Sequence, residues 1–279
     1  MGLNPLNPAL SPPEGRENPR QSDEGSVAIE MRGVAFGTMT DQGTTVAEDV
    51  NWTVNAGEFW VVAGSQRSGK TDFLMLTDGL LPPTRGTYRF FNEVMPIFED
   101  ERLAERLRLG LVFDGGQLFN HMTVAENVAL PLRYHLGLDP KDAAARVQAL
   151  LELTELSPFA HRPPAAIARN WQKRAGLARA LILQPDVLLL DNPLTGLDAR
   201  HATWWLGFLD RLSRGQSGLR DKPMTIVATA DDPRAWRGHA QRVACLIGKQ
   251  LLVLGDWSEA DCRGDAAVRD LLNAGASGH

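Results

Sequence analysis

Eight consecutive residues, Gly64-Ser65-Gln66-Arg67-Ser68-Gly69-Lys70-Thr71, combine the groups needed to hold a polyphosphate. The glycines let backbone approach a ligand closely, the lysine brings a positive charge and the threonine brings a hydroxyl. Phe59-Trp60-Val61-Val62-Ala63 precedes them and Asp72-Phe73-Leu74-Met75-Leu76 follows, so the pattern predicts strand, loop and helix in that order. In that setting unpaired N–H groups and the positive end of the helix dipole converge on an anion. Lys70 then neutralises terminal phosphate oxygens, and the Thr71 hydroxyl ligates the Mg²⁺ that bridges them. The predicted nucleotide contacts run from Gly64 to Asp72. A second acidic group, Asp191, closes the apolar run Val187-Leu188-Leu189-Leu190. That is where a P-loop protein places the carboxylate that holds Mg²⁺ through water.

The elements that must position these groups alternate along the chain. Val27 to Phe36 and Val46 to Val54 read as strands around the turn Asp41-Gln42-Gly43. Thr87 to Phe91 and Leu109 to Phe113 read as further strands, and a mainly helical stretch runs from Thr123 to Leu183. Its clearest helix starts at Asp139-Pro140, with Asp as N-cap and Pro at the first helical position. A second helix follows near Gln172 to Leu183. Thr225 to Thr229 is another buried strand, and Val243 to Ile247 with Leu251 to Leu254 reads as a hairpin about Gly248-Lys249-Gln250. The expected fold is α/β: a P-loop NTPase core with an N-terminal antiparallel β region and an inserted helical subdomain at about 115–183. Residues 1–25 read as a disordered tail, 26–258 as the nucleotide-binding domain and 259–279 as a C-terminal helix and tail.

Composition narrows the class of protein. With 279 residues, 43% of them hydrophobic and 23% charged, the chain can bury a substantial core. A formal net charge of −5 and a pI near 5.7 argue against general attraction to nucleic acid. Cys245 and Cys262 lack metal-ligand spacing and read as two reduced thiols. No apolar run approaches the roughly 20 residues needed to span a bilayer, and the first residues lack the apolar core of a signal peptide. Any membrane role is expected to come through a partner.

The order of features resembles the nucleotide-binding subunit of an ATP-binding cassette (ABC) transporter over roughly Val27 to Leu254. The resemblance is carried by Gly64 to Thr71, by Leu118-Phe119-Asn120-His121-Met122-Thr123-Val124-Ala125-Glu126-Asn127-Val128, by Gln172 to Leu181, and by Leu190-Asp191-Asn192-Pro193 with Thr195-Gly196-Leu197-Asp198. Glu126 to Arg133 and Val268-Arg269-Asp270-Leu271-Leu272 look most like the ATPase subunits of bacterial Mla-type phospholipid transporters. The resemblance implies ATP and Mg²⁺ as ligands, a membrane permease as partner, a homodimer or heterodimer of ABC subunits, and a cytoplasmic place against the inner or plasma membrane. It also implies that Leu118, Phe119 and Met122 contact the permease, although local packing explains them equally well. Asp198 aligns with the family's D-loop aspartate.

At the catalytic positions the match breaks. The family's Leu-Ser-Gly-Gly-Gln signature aligns with Ile167-Ala168-Arg169-Asn170-Trp171, which lacks the hydroxyl and puts side chains where glycines admit phosphate. The family's general-base Glu aligns with Asn192, an amide that orients water without accepting its proton. The switch His aligns with Ala230, the Gln of the loop after Phe113 with Asp114, and a P-loop Gly with Arg67. No aromatic near Phe36-Gly37-Thr38 suits adenine, and Phe36 reads as core. The resemblance therefore implies a chain that binds nucleotide and hydrolyses it poorly or not at all, a pseudo-ATPase. The alternative is an active ATPase with replaced groups, Arg169 among them. A P-loop kinase fits the helix from Gln172 to Leu181 less well, and an ABC protein without a permease would usually carry two cassettes.

Overall fold

The computed structural model describes residues 25–41, 43–96 and 102–273. The expected N-terminal tail therefore lies almost wholly outside the described residues, as does Gln42 of the predicted turn. The first sheet contains β1 (Val27–Gly37), β2 (Thr45–Asn55), β4 (Arg85–Phe90) and β5 (Glu93–Val94) in the order β2-β1-β4-β5. Its neighbours all run antiparallel. The second sheet has the order β10-β9-β3-β8-β7-β6, built from β3 (Phe59–Ala63), β6 (Leu109–Val112), β7 (Val187–Leu190), β8 (Thr225–Ala230), β9 (Arg242–Ile247) and β10 (Gln250–Gly255). Five of these strands are parallel, and β10 returns antiparallel as the hairpin partner of β9. Every residue of β3, β7 and β8 is buried, which is why these strands read as unbroken apolar runs rather than alternating ones.

Two apolar layers hold these parts together. Between the sheets, Phe36 and Trp52 pack on Phe73 of α1 (Lys70–Asp78), and Trp52 meets Trp60 edge-on with ring centroids 5.6 Å apart. The placement of Phe36 in this core agrees with its sequence reading. On the other face of the parallel sheet lie α3 (Val124–Leu136), α4 (Pro140–Leu153), α5 (Arg169–Leu181) and α6 (Ala199–Ser213), with α2 (Leu103–Arg106) ahead of β6. The helices α3, α4 and α5 pack together as one layer, and α5 leans on β6. Asp139 does occupy the N-cap of α4, but its side chain makes no capping bond; Pro140 alone sets that start. By contrast Thr123 and Glu126 form a full capping box on α3. Near the end of the chain come α7 (Trp257–Asp261) and α8 (Ala266–Asn273), and Val268 and Leu272 of α8 are buried in the same core.

Parallel strands deliver their carboxyl ends to one edge, and that edge collects the site. Gly64 follows β3, Asp114 follows β6, Asp191 follows β7 and Asp231 follows β8.

Candidate functional site

The loop from Gly64 to Gly69 joins β3 to α1 in the predicted strand-loop-helix context. Gly69 is the N-cap of α1 at φ 93°, and a Cβ there would lie 2.1 Å from Val46 Cγ1, so only glycine fits. Arg67 also has positive φ, 62°, and its side chain is exposed. The residue that stands for a glycine keeps the glycine-like conformation, at a cost of about 1 kcal/mol. Ser65 and Gln66 are exposed, Ser68 is half-buried, and Asp72 accepts a hydrogen bond from the Met39 N–H at 3.1 Å.

Lys70 is buried, and its ammonium donates to the Gly64 and Ser65 carbonyls at 2.8 and 2.7 Å. Its third neighbour is Asp231, whose Oδ1 lies 2.8 Å away as an ion pair. Next to it, the Thr71 hydroxyl donates to Asp191 Oδ2 at 2.8 Å, and Thr229 donates to Asp191 Oδ1 at 3.1 Å. Burial pushes the Asp191 carboxyl above its ordinary range; hydrogen bonds from Thr71 and Thr229 oppose this, while the charge of Asp114 adds to it. The Thr71 and Asp191 side chains would hold Mg²⁺, Thr71 directly and Asp191 through water. Among the described residues no group of three or more His, Cys, Asp or Glu side chains could hold a metal by itself.

Asn192 adopts φ 44°, and its backbone N–H donates to the Thr229 hydroxyl at 3.0 Å. Its side-chain Nδ2 is 3.5 Å from Asp231 Oδ1, while its Oδ1 is buried without a hydrogen-bond partner. Asn192, Thr229, Ala230 and Asp231 line a cavity of about 180 Å³. The methyl of Ala230 and the amide of Asn192 thus face this cavity together with the carboxylate of Asp231.

Ile167 to Trp171 lead into the N-terminus of α5. Ile167 is buried, and Ala168 sits at the N-cap, where it offers the helix its carbonyl but no side-chain oxygen. Asn170 donates to His201 Nε2 at 2.8 Å, which leaves the proton on Nδ1 for Asp198, 2.9 Å away. The backbone N–H and ring of His201 together hold the Asp198 carboxyl below its ordinary range. Trp171 meets the His201 ring edge-on, and Arg174 lies 3.7 Å from the centroid of Trp204. The segment that aligns with the signature is therefore tied by side chains to α6. Arg169 remains 71% exposed and is 3.3 Å from Asp114.

Three participants had no motif to mark them: Asp231, Thr229 and His201. Each lies within a few residues of a recognised position; sheet register brings Thr229 and Asp231 at the end of β8 beside β7, and His201 stands on α6. Asn127, one of the residues that carry the family resemblance, has a structural role that its motif does not reveal. It is fully buried and ties down the Phe119 N–H together with the Phe119, Met122 and Thr123 carbonyls, which leaves Phe119 47% exposed and Leu118 and Met122 half-buried. Cys245 is buried, with its thiol pushed up to about 12, and Cys262 is exposed; both are free thiols.

A P-loop beside a strand-end carboxylate on a parallel sheet defines a P-loop nucleotide-binding protein. Comparison with known sequences and structures narrows this. Residues 47–195 match the ABC transporter family. The intermembrane phospholipid transport system ATP-binding protein MlaF of Escherichia coli is 31% identical over 91% of this chain and 93% of its own. The probable ribonucleotide transport ATP-binding protein mkl of Mycobacterium tuberculosis is also 31% identical, over 93% of this chain and 71% of its own. A dimeric post-hydrolysis structure of the ATP-binding cassette MJ0796, bound to ADP and Pi, superposes with a TM-score of 0.70 at 25% identity, covering 80% of this chain and 96% of that one. The chain belongs to the ABC transporter family as an ATP-binding subunit akin to the Mla type. No helix among the described residues is long and apolar enough to cross a membrane.

Proposed function

We propose that this chain is the nucleotide-holding subunit of a membrane transporter for lipid, docked on a permease at the cytoplasmic face of the membrane and paired with a second ABC subunit. In this reading it binds ATP with Mg²⁺ and hydrolyses it very slowly. The observation that carries the reading is a division within one site. Lys70, Thr71 and Asp191 offer the groups for phosphate and metal, whereas Asn192 and Ala230 border a cavity that lacks an imidazole and whose carboxylate nearest the P-loop, Asp231, is engaged in an ion pair with Lys70. Mg²⁺, held by Thr71 directly and by Asp191 through water, would draw charge from the phosphates. Loss of a general base or of a charge-stabilising donor each costs about 10² to 10⁴ in rate, and the two are not additive. The likeness to MlaF supports the lipid assignment.

The test is ATP binding and turnover on the purified chain with Mg²⁺, beside Lys70→Ala. Binding that the substitution abolishes, with turnover at background in both proteins, is the expected result. A second reading rests on Asp231, whose carboxylate stands beside Asn192 and supplies an acceptor for a proton from water. Turnover that depends on both Lys70 and Asp231 would select that reading and overturn the first.

A further inference from the structure

Lys173 has no part in the nucleotide site as described, yet it is among the most enclosed charges in the chain. It lies on α5. Its ammonium donates to the Thr195 carbonyl at 2.7 Å, to Asn192 at 3.1 Å and to Pro193 at 3.4 Å, and it stands 2.9 Å from Asp114 Oδ1. An ammonium has three protons, so the three carbonyls saturate it, and the buried Asp114 Oδ1 meets it as an ion pair without a hydrogen bond. These oxygens come from the ends of two adjacent parallel strands: Asp114 follows β6, and Asn192 to Thr195 follow β7. One cation therefore joins the helical layer to both strand ends, at the turn that carries Asn192 in its left-handed conformation.

A lysine this enclosed is costly unless it is paired and fully hydrogen-bonded. The carbonyls supply hydrogen bonds but no net charge, and Asp114 supplies the countercharge. The other Asp114 oxygen meets Arg169, which is exposed and contributes little. We propose that Lys173 and Asp114 form a structural ionic strut that fixes the Asn192–Thr195 turn against α5 and commits the Asp114 carboxylate to protein instead of Mg²⁺. Asp114 stands where the family has a neutral Gln, and the strut gives its charge a structural reason. The inference does not depend on slow hydrolysis or on the identity of the cargo.

Two measurements on the full chain test it. The first is thermal unfolding of Asp114→Asn, Lys173→Met and the double variant. Asp114→Asn leaves a buried ammonium without its countercharge, and Lys173→Met leaves three carbonyls without their donor beside a part-exposed carboxylate, so each is expected to lower Tm by about 5 °C. The double variant is expected to lose clearly less than the sum, because neither charge is then left alone. Additive losses would overturn the pairing. The second is the Mg²⁺ concentration that half-supports binding of a fluorescent ATP analogue, a readout that a purely structural residue does not move. Asp114→Asn is expected to stay within about twofold of the parent, whereas Thr71→Val needs far more Mg²⁺. A tenfold rise in Asp114→Asn would make Asp114 a metal group and overturn the second half of the proposal. A chain that binds no analogue would refute the proposed function, while the unfolding cycle would still decide the strut.

Discussion

Replacing Asp78 by Asn tests how well the electrostatics of this fold are understood. Asp78 ends α1, and with Gly79, Leu80, Met95, Leu107 and His135 it lines a groove of about 450 Å³. Desolvation raises its carboxyl from 3.8 to about 6, against a smaller opposing pull from Arg106. Between those values the native state keeps a proton that the unfolded chain has released, so stability falls as pH rises through the window and the whole penalty is present above it. The difference corresponds to about 3 kcal/mol. Because Asp78 is half-buried, solvent screening reduces the effect to about 1–2 kcal/mol. Asn has the shape of the protonated acid and carries no charge at any pH. The substitution should therefore raise Tm by about 3–6 °C near pH 7 and leave it unchanged near pH 4. Thermal unfolding across that range is the assay. A gain that persists at the acidic end, or a loss near neutrality, would refute the reasoning.

Other positions give equally direct tests. Gly69→Ala places a methyl 2.1 Å from Val46 Cγ1 at φ 93°, so a loss of about 2 kcal/mol or more in urea unfolding should accompany the loss of nucleotide binding. Asp231→Asn releases Lys70 from an ion pair that nucleotide must break, and equilibrium dialysis should show ATP binding tightened by about three- to tenfold; weaker binding would mean that Asp231 helps to hold the ligand. Asn192→Glu brings a second carboxylate against Asp231 at a left-handed residue, so the chain should lose stability and gain less than about tenfold in turnover. Recovery of rapid hydrolysis by that single change would show that the base alone was missing.

Local chemistry made much of this site legible in the chain. The P-loop needs only consecutive residues with a strand before and a helix after, and the unbroken apolar runs of β3, β7 and β8 announce strands buried on both faces. The helix beginning at Pro140 was visible for the same reason, since proline fixes φ wherever it stands. What Asp139 would do as a cap was less visible, because the N-cap bond depends on a rotamer that sequence does not specify. Other partners are far apart along the chain: sheet register brings Asp231 beside Lys70 and Thr229 beside Asp191, and the packing of α6 against the start of α5 brings His201 beside Asn170.

The sequence by itself therefore determined the nucleotide-binding class of this protein, because that fact concerns residue type at fixed local spacing. Tertiary structure decided which partners the side chains around the site take. Asp114 reads in the sequence as a charged stand-in for an amide, but in the fold it lies 2.9 Å from the buried ammonium of Lys173. Asn170 reads as an obstruction in the signature, and in the fold it holds His201. A side chain's charge is written in its identity, whereas the energy of that charge depends on burial and partners that only the packed sheet and helices bring within reach.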